Sequence, residues 1–225
     1  MTNWQLTEDY YVPSQELPKL IGICGSIGSG KDTVGDILIH EYGYTRMSFA
    51  TTLKDVVAAL FGWDREMLEG LTDQARDQRD TPDSFWSEKL GLAWTPRKAM
   101  QVIGTDLLRN QFHTDMWLNT VEKKISEMGK VVITDVRFPN EIEWIKTNGD
   151  LWSVERGVKP IWFNIAKDWN VGKDKRSYQE TVPLQLEGIH ESEWAWVGCS
   201  PLHKIRNQST IKDLKSNIRQ ILFDK

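Results

Sequence analysis

Apolar positions along this chain fall into two kinds of block. Short apolar or β-branched runs alternate with longer stretches in which apolar residues recur every three or four positions. Leu20 to Cys24 predicts a strand over about 19–24. Val34, Ile37, Leu38 and Tyr42, at i, i+3, i+4 and i+8, predict a helix that starts near Gly30 and stops at Gly43. Tyr44 to Phe49 is the second predicted strand. Leu53, Val56, Val57 and Leu60 give one face of a second helix, ended by Gly62. Residues 63–94 are charged and broken by Gly70, Pro82 and Gly91, so short helices and loops are expected, anchored by Trp63, Phe85, Trp86 and Trp94 and lying over the mouth of a site. Thr95-Pro96 is a helix start, with a capping hydroxyl and a proline in the first turn. Gly104-Thr105-Asp106 is expected to break and restart that helix. Thr114-Asp115 opens another, with Trp117, Val121, Ile125 and Met128 inward.

Lys130 to Thr134 is a β-branched strand ending at Asp135. Phe138, Ile142 and Ile145 mark a helix closed by Gly149, and Leu151 to Val154 the next strand. Residues 157–188 are polar and read as an insertion or lid. His203 to Arg206 is the last predicted strand, followed by an amphipathic helix made by Ile211, Leu214, Ile218 and Leu222. Strands separated by helices predict an α/β domain with a parallel sheet, in which ligands bind at the carboxyl ends of the strands. Gly25, Phe49 and Asp135 fall at those ends. Residues 1–18 form an N-terminal extension, and 19–225 read as one domain.

Composition narrows the function classes. The chain has 225 residues, 28 Lys+Arg against 32 Asp+Glu and a net charge of −4, which gives no electrostatic footprint for a nucleic acid polymer or an anionic membrane. No apolar run approaches the ~20 residues of a membrane span, and the polar, acidic N-terminus is unlike a secretory signal. Cys24 and Cys199 do not make a disulfide framework or a metal site, and Cys24 reads as a small buried residue. A soluble cytoplasmic protein is expected. The eleven tryptophans read as core and pocket walls.

Chemistry concentrates after the first strand. Gly25-Ser26-Ile27-Gly28-Ser29-Gly30-Lys31 has the G-x-x-x-x-G-K spacing of a phosphate loop, in which glycines let backbone N–H groups curl around phosphate oxygens and the lysine adds a mobile charge. The following helix points its N-terminal dipole at the same anion. Asp32 stands where Ser or Thr would reach Mg²⁺, with Thr33 next; either can serve the metal. Asp135-Val136-Arg137 closes a buried strand: a strand-end Asp can hold Mg²⁺ and Arg137 can clamp a phosphate, or the two form an ordinary surface pair. Glu141, four residues on, can orient that guanidinium or remain a solvated helix charge. Arg97, Lys98, Gln101 and Thr105 can hold a second phosphate and a base, or make a solvated basic face. Arg46 and Lys54 flank the second strand's end and either can reach an acceptor phosphate, but lone cations near helix ends are usually solvated or dipole partners. Periodicity alone makes Trp117 core. His190-Glu191-Ser192-Glu193 lacks a second His or Cys nearby and does not read as zinc.

Together these stretches resemble the bacteriophage deoxynucleoside monophosphate kinases. The resemblance rests on G-S-I-G-S-G-K-D-T at 25–33, P-R-K-A-M-Q-V-I-G-T-D at 96–106, Trp117 at the family's distance, I-T-D-V-R-F-P-N-E at 133–141 and I-H-E-S-E at 189–193. The chain departs from the family's pattern in its N-terminal extension and in 157–188. The resemblance implies a P-loop NTPase kinase fold: a five-stranded parallel sheet flanked by helices, a helical substrate-binding insertion at 63–128 and a lid-like insertion at 157–193. It implies ATP and a dNMP as substrates and Mg²⁺ as cofactor, with Lys31, Asp135 and Arg137 catalytic. Gly25, Gly28, Ser29, Gly30, Lys31, Asp32 and Thr33 would bind ATP; Asp32, Thr33 and Asp135 the metal. Arg97, Lys98, Gln101, Gly104, Thr105, Trp117, Arg137 and Glu141 would bind the acceptor. A homodimer is one open assembly. Rival expectations are a kinase of the dephospho-coenzyme A or phosphomevalonate type, and a nucleotide-binding regulator without turnover.

Overall fold

A computed structural model describes residues 16–172 and 182–223. Most of the N-terminal extension and the middle of the 157–188 segment therefore lie outside the described residues. The strands are β1 Leu20–Cys24, β2 Thr45–Met47, β3 Val131–Ile133, β4 Asp150–Glu155 and β5 His203–Arg206. All neighbours pair in parallel, in the order β2-β3-β1-β4-β5. β1 is thus central, and the chain leaves it on one side and returns on the other. Such a switch point opens a crevice beyond the carboxyl ends of β1 and β3, where a ligand can lie between two diverging connections.

Side-chain alternation splits the core between the two faces of the sheet. Ile21 and Ile23 of β1 join Val132, Trp152, Val154 and Ile205 on one face, under α1 (Lys31–Tyr42) and α11 (Ile211–Phe223). Leu20 and Cys24 join Val131, Ile133 and Leu151 on the other, with Leu53 of α2 (Thr51–Phe61), Trp117 of α7 (Met116–Ile125), Ile145 of α8 (Pro139–Asn148) and Ala166 of α9 (Phe163–Gly172). Between α2 and α7 run α3 (Arg65–Glu69), α4 (Asp73–Asp80), α5 (Ser84–Leu90), α6 (Pro96–Gln101) and a π-helix over Val102–Phe112. Helices of five to eight residues are marginal alone. Each of α3 to α6 is started by a side-chain cap, from Asp64, Thr72, Asp83 and Thr95 in turn.

Several expectations change. β2 stops at Met47, not Phe49, because Asp135 draws the next three residues into a turn. Leu53 and Val57 of α2 are buried, but Val56 and Leu60 are exposed: only one row of the apolar stripe meets the neighbouring helices. Met128 is likewise exposed, beyond the end of α7. Trp63, Trp86 and Trp94 do gather around Phe61, the first stacked at 4.5 Å, whereas Phe85 is 57% exposed and touches only the rim of that cluster. Gly104-Thr105-Asp106 does not break the helix. The chain passes from α6 into the π-helix, and Gly104 lies so close to α2 that a Cβ would sit 2.5 Å from Leu53 Cδ2.

Candidate active site

The loop from Gly25 to Lys31 joins the central strand to α1. Gly25 and Gly30 adopt φ of 149° and 93°, where residues with a Cβ are strained. A Cβ would also collide, at Gly25 with the Val154 carbonyl (2.4 Å) and at Gly30 with the Asn207 side-chain amide (2.2 Å). Asn207 Nδ2 donates to the Ser29 carbonyl at 3.0 Å, tying the loop to the residue just after β5. Ser29 is buried and its hydroxyl has no partner among the described residues, a polar group left open inside the cradle. Lys31 Nζ donates to the Gly25 and Ser26 carbonyls, both at 2.8 Å. Burial draws its ammonium below the ordinary value and the nearby charge of Arg137 draws it further, against Asp32 and Glu193. The loop is therefore short of negative charge.

Asp32 and Asp135 are used differently. Asp32 is exposed, and its Oδ1 accepts from Arg46 Nη1 (3.1 Å) and Thr134 Oγ1 (3.0 Å), leaving Oδ2 without a protein partner among the described residues. Asp135 accepts from Ser48 Oγ (2.6 Å) and from the Phe49 and Ala50 N–H groups (both 3.1 Å). Its carboxylate thus holds the turn that starts α2. Asp32 and Thr33 supply only oxygen donors, a set that fits Mg²⁺, which takes one or two carboxylates and leaves its remaining positions to phosphates and water.

Arg137 follows β3 across the crevice. Its Nη1 donates to Glu193 Oε1 (3.0 Å) and Ser192 Oγ (3.3 Å) of α10 (Glu191–Trp194), and its side chain is 38% exposed. Glu141 does not reach that guanidinium, nor is it solvated. It is 2% exposed, accepts from the Arg137 and Phe138 N–H groups (2.8 and 3.1 Å), and pairs with buried Arg109 of the π-helix. Arg109 in turn lies 3.8 Å over the Phe138 ring. Glu141 is therefore a strut that fixes the backbone at Arg137.

Among the other predicted acceptor residues, Arg97 is forked onto Asp80 of α4 and lies within electrostatic reach of Glu193 and Arg79. Lys98 is exposed, its ammonium 5.8 Å from the Trp94 ring. Gln101 is half-buried and Thr105 buried. Trp117 is core, as its periodicity says: it is 4% exposed and its Nε1 donates to the Gly104 carbonyl at 2.8 Å. Arg46 bonds Asp36 as well as Asp32, and Lys54 pairs with Glu69, so neither cation is free. His190 caps α10 through Nδ1.

Sequence reasoning missed four residues. Arg79 of α4 lies among charges it repels: burial lowers its affinity for the proton, and Arg97, Arg76 and Arg137 lower it further, against Asp80 alone. Among the described residues its Nε is buried without a partner, and its Nη1 makes a long bond (3.4 Å) to the Leu68 carbonyl. In the D-Q-A-R-D-Q-R-D run it looks like one more solvated charge. Glu193 and Arg109 carry no local signal for their partners. Asn207 stands just past a strand end, and that position could have marked it. Beside the loop lies a cavity of ≈ 280 Å³ lined by Ser26, Ile27, Pro160, Trp162, Ile189 and Glu193.

Comparisons with known proteins bear on the family of the chain. A family model described as deoxynucleotide monophosphate kinase matches residues 72–152, which include Arg79, Arg97, Arg109, Arg137 and Glu141. A protein of Acanthamoeba polyphaga mimivirus, provisionally named deoxynucleotide monophosphate kinase, is 36% identical over 144 residues, covering 58% of this chain and 69% of that one. The deoxynucleoside-5'-monophosphate kinase of Escherichia phage T5 is 27% identical over 183 residues, covering 59% and 73%. The shikimate kinase of Acinetobacter baumannii aligns over 93% of this chain and 95% of its own, at 16% identity and a TM-score of 0.42, which adds nothing to the topology read from the sheet itself. On its similarity to the mimivirus protein, the chain belongs to the deoxynucleotide monophosphate kinase family.

Proposed function

We propose that this protein is an ATP:deoxynucleoside monophosphate phosphotransferase, which converts ATP and a dNMP to ADP and a dNDP and so supplies nucleotides for DNA synthesis in the cytoplasm. One observation carries the proposal. Lys31 at the start of α1 lies within reach of the charge of Arg137, beyond the end of β3, with Glu193 as a counter-charge that acts on Lys31 and is ion-paired with Arg137. Two cations on one carboxylate is an arrangement completed by phosphate.

The loop amides and Lys31 hold the donor phosphates; to do so the lysine leaves the Gly25 and Ser26 carbonyls. Arg137 exchanges Glu193 for phosphate oxygens and bridges donor and acceptor, its planar fork suited to two oxygens at once. Arg79 binds the acceptor phosphate, with Arg97 held near by Asp80. Trp162 and Ile189 give an apolar wall for one of the two bases. Asp32 and Thr33 would hold Mg²⁺, which when bound neutralises charge on the phosphates. The acceptor oxygen is already anionic, so positioning and charge stabilisation suffice and no general base is required.

The test is a coupled assay for ADP across all dNMPs, NMPs and small alcohol or phosphate acceptors. ADP release that depends on a dNMP is expected. Equal rates without acceptor, or a preference for a non-nucleotide acceptor, would overturn the proposal.

A further inference from the structure

Cys24 and Cys199 are 175 positions apart in sequence, yet their sulfurs lie 3.6 Å apart. Both are free thiols. Cys24 is the last residue of the central strand, fully buried, and its neighbour Gly25 begins the phosphate loop. Cys199 is half-buried and stands just after α10, the helix whose Ser192 and Glu193 hold Arg137.

We propose that these two cysteines are an oxidative modification site: hydrogen peroxide closes them into a reversible disulfide that arrests turnover. The arrest, though not the cross-link, rests on the role given above to Arg137.

The environment assigns the order of reaction. Cys199 is the accessible partner, and its thiol is drawn below the ordinary value by the hydrogen bond with Cys24, helped by the charges of Lys146 and Lys204. Cys24 is pushed up by the same bond and then by burial. Cys199 thiolate therefore attacks a peroxide oxygen, breaking the O–O bond; hydroxide leaves and takes the released proton as water. Cys24 sulfur then attacks the Cys199 sulfenic sulfur, the S–O bond breaks, and the thiol proton leaves with the hydroxyl as a second water. In sum two thiols and one peroxide give one disulfide and two waters. A reductant thiol reverses the bond by exchange.

The geometry also predicts what moves. A disulfide holds its sulfurs at about 2.05 Å, so the thiols must close by roughly 1.5 Å. Cys24 ends the central strand β1, which is held between β3 and β4, and it pairs with Ser153 of β4. The segment after α10 must therefore come to it. That ties the base of the phosphate loop to the element that grips Arg137, and Arg137 can no longer exchange Glu193 for phosphate.

The experiment treats reduced, desalted full-length protein with hydrogen peroxide. Both titratable thiols should disappear, one tryptic species should join the Cys24 and Cys199 peptides with the mass of two hydrogens lost, and dNMP-dependent turnover should fall by most of its value and return with dithiothreitol. Cys199→Ser should keep basal turnover, form no cross-link and resist the inactivation. The proposal is overturned if thiols stay titratable, if Cys199 oxidises without a cross-link, if the disulfide joins two molecules on a non-reducing gel, or if the cross-linked protein turns over normally. Thiol count and peptide mass need no acceptor, so they stand or fall apart from the kinase activity.

Discussion

The two sides of the cleft are held together by different means. On the sheet side the backbone does the work: the loop sits at the end of β1, Lys31 rests on two carbonyls and Asn207 pins a third. On the helical side, charged side chains join short helices in pairs: Arg97 with Asp80, Lys54 with Glu69, Arg65 with Asp55, and Arg109 with Glu141. A backbone-built site tolerates the loss of any one side chain structurally and suffers only in chemistry. A site built from paired charges loses its shape when one partner goes. Substitutions on the two sides should therefore fail in different observables.

The largest effect is expected where chemistry is lost and shape is kept. Lys31→Ala and Arg137→Leu should each lower kcat by roughly 10³-fold, with little change in melting temperature, because cations of this kind act mainly in the transition state. Arg137→Lys should recover only part, since it restores charge without the fork. Steady-state kinetics beside thermal melts would decide it, and near-normal kcat in both Ala and Leu variants would remove Lys31 and Arg137 from the centre of the mechanism.

Glu141 should show the opposite pattern. Glu141→Ala leaves Arg109 buried and unpaired, which should destabilise the fold by about 3–5 kcal/mol. Glu141→Gln is milder and isolates the charge. Burial pushes the Glu141 carboxyl from 4.5 up to about 6, so the native state holds its proton more tightly than the unfolded chain. That contribution to stability is fully present below pH 4.5 and is lost as pH rises through about 6. Urea melts at several pH values should show this slope in the wild type and not in Glu141→Gln. Identical slopes would mean that Glu141 titrates alike in both states.

Arg79 tests whether the helical side reaches the acceptor. Arg79→Leu should raise the acceptor KM on the order of tenfold, the loss of one charge-assisted contact, and leave the ATP KM alone. A change in ATP KM instead would move Arg79 to the donor side.

The same contrast decides what is legible in the sequence. Strand, loop and helix from Leu20 to Tyr42 are contiguous, and the loop glycines take positive φ within one short segment, so spacing alone identifies them. The strand at 131–133 is legible for the same reason. Glu141 is not: its position shows a carboxylate on a helix, and only folding shows that the partner is Arg109, 32 residues away. Asp135 is legible as a strand-end carboxylate but not in its use, because its partners Ser48 and Ala50 come from another strand's end. Arg79 hides in a charged run whose composition matches a solvated face. Pairing of distant charges leaves no period in a sequence.

Asn207→Ala should give the smallest effect and tests the sheet side most finely. Asn207 is buried, and its amide is the one side-chain group bonded to the Ser29 carbonyl among the described residues. Removing a single neutral hydrogen bond costs about 0.5–1.5 kcal/mol. The loop keeps its positive-φ glycines and its anchor in β1, so it should stay folded. ATP affinity should weaken by only several-fold, with acceptor KM and kcat near normal. Asn207→Asp should be worse than Ala: the carboxylate cannot donate to the Ser29 carbonyl, and it places a negative charge against the loop that receives phosphates. ATP titrations of the three proteins at matched pH measure this ordering. An Ala variant that abolishes ATP binding would show that the loop depends on one side chain after all, and the two sides of the cleft would then be built alike.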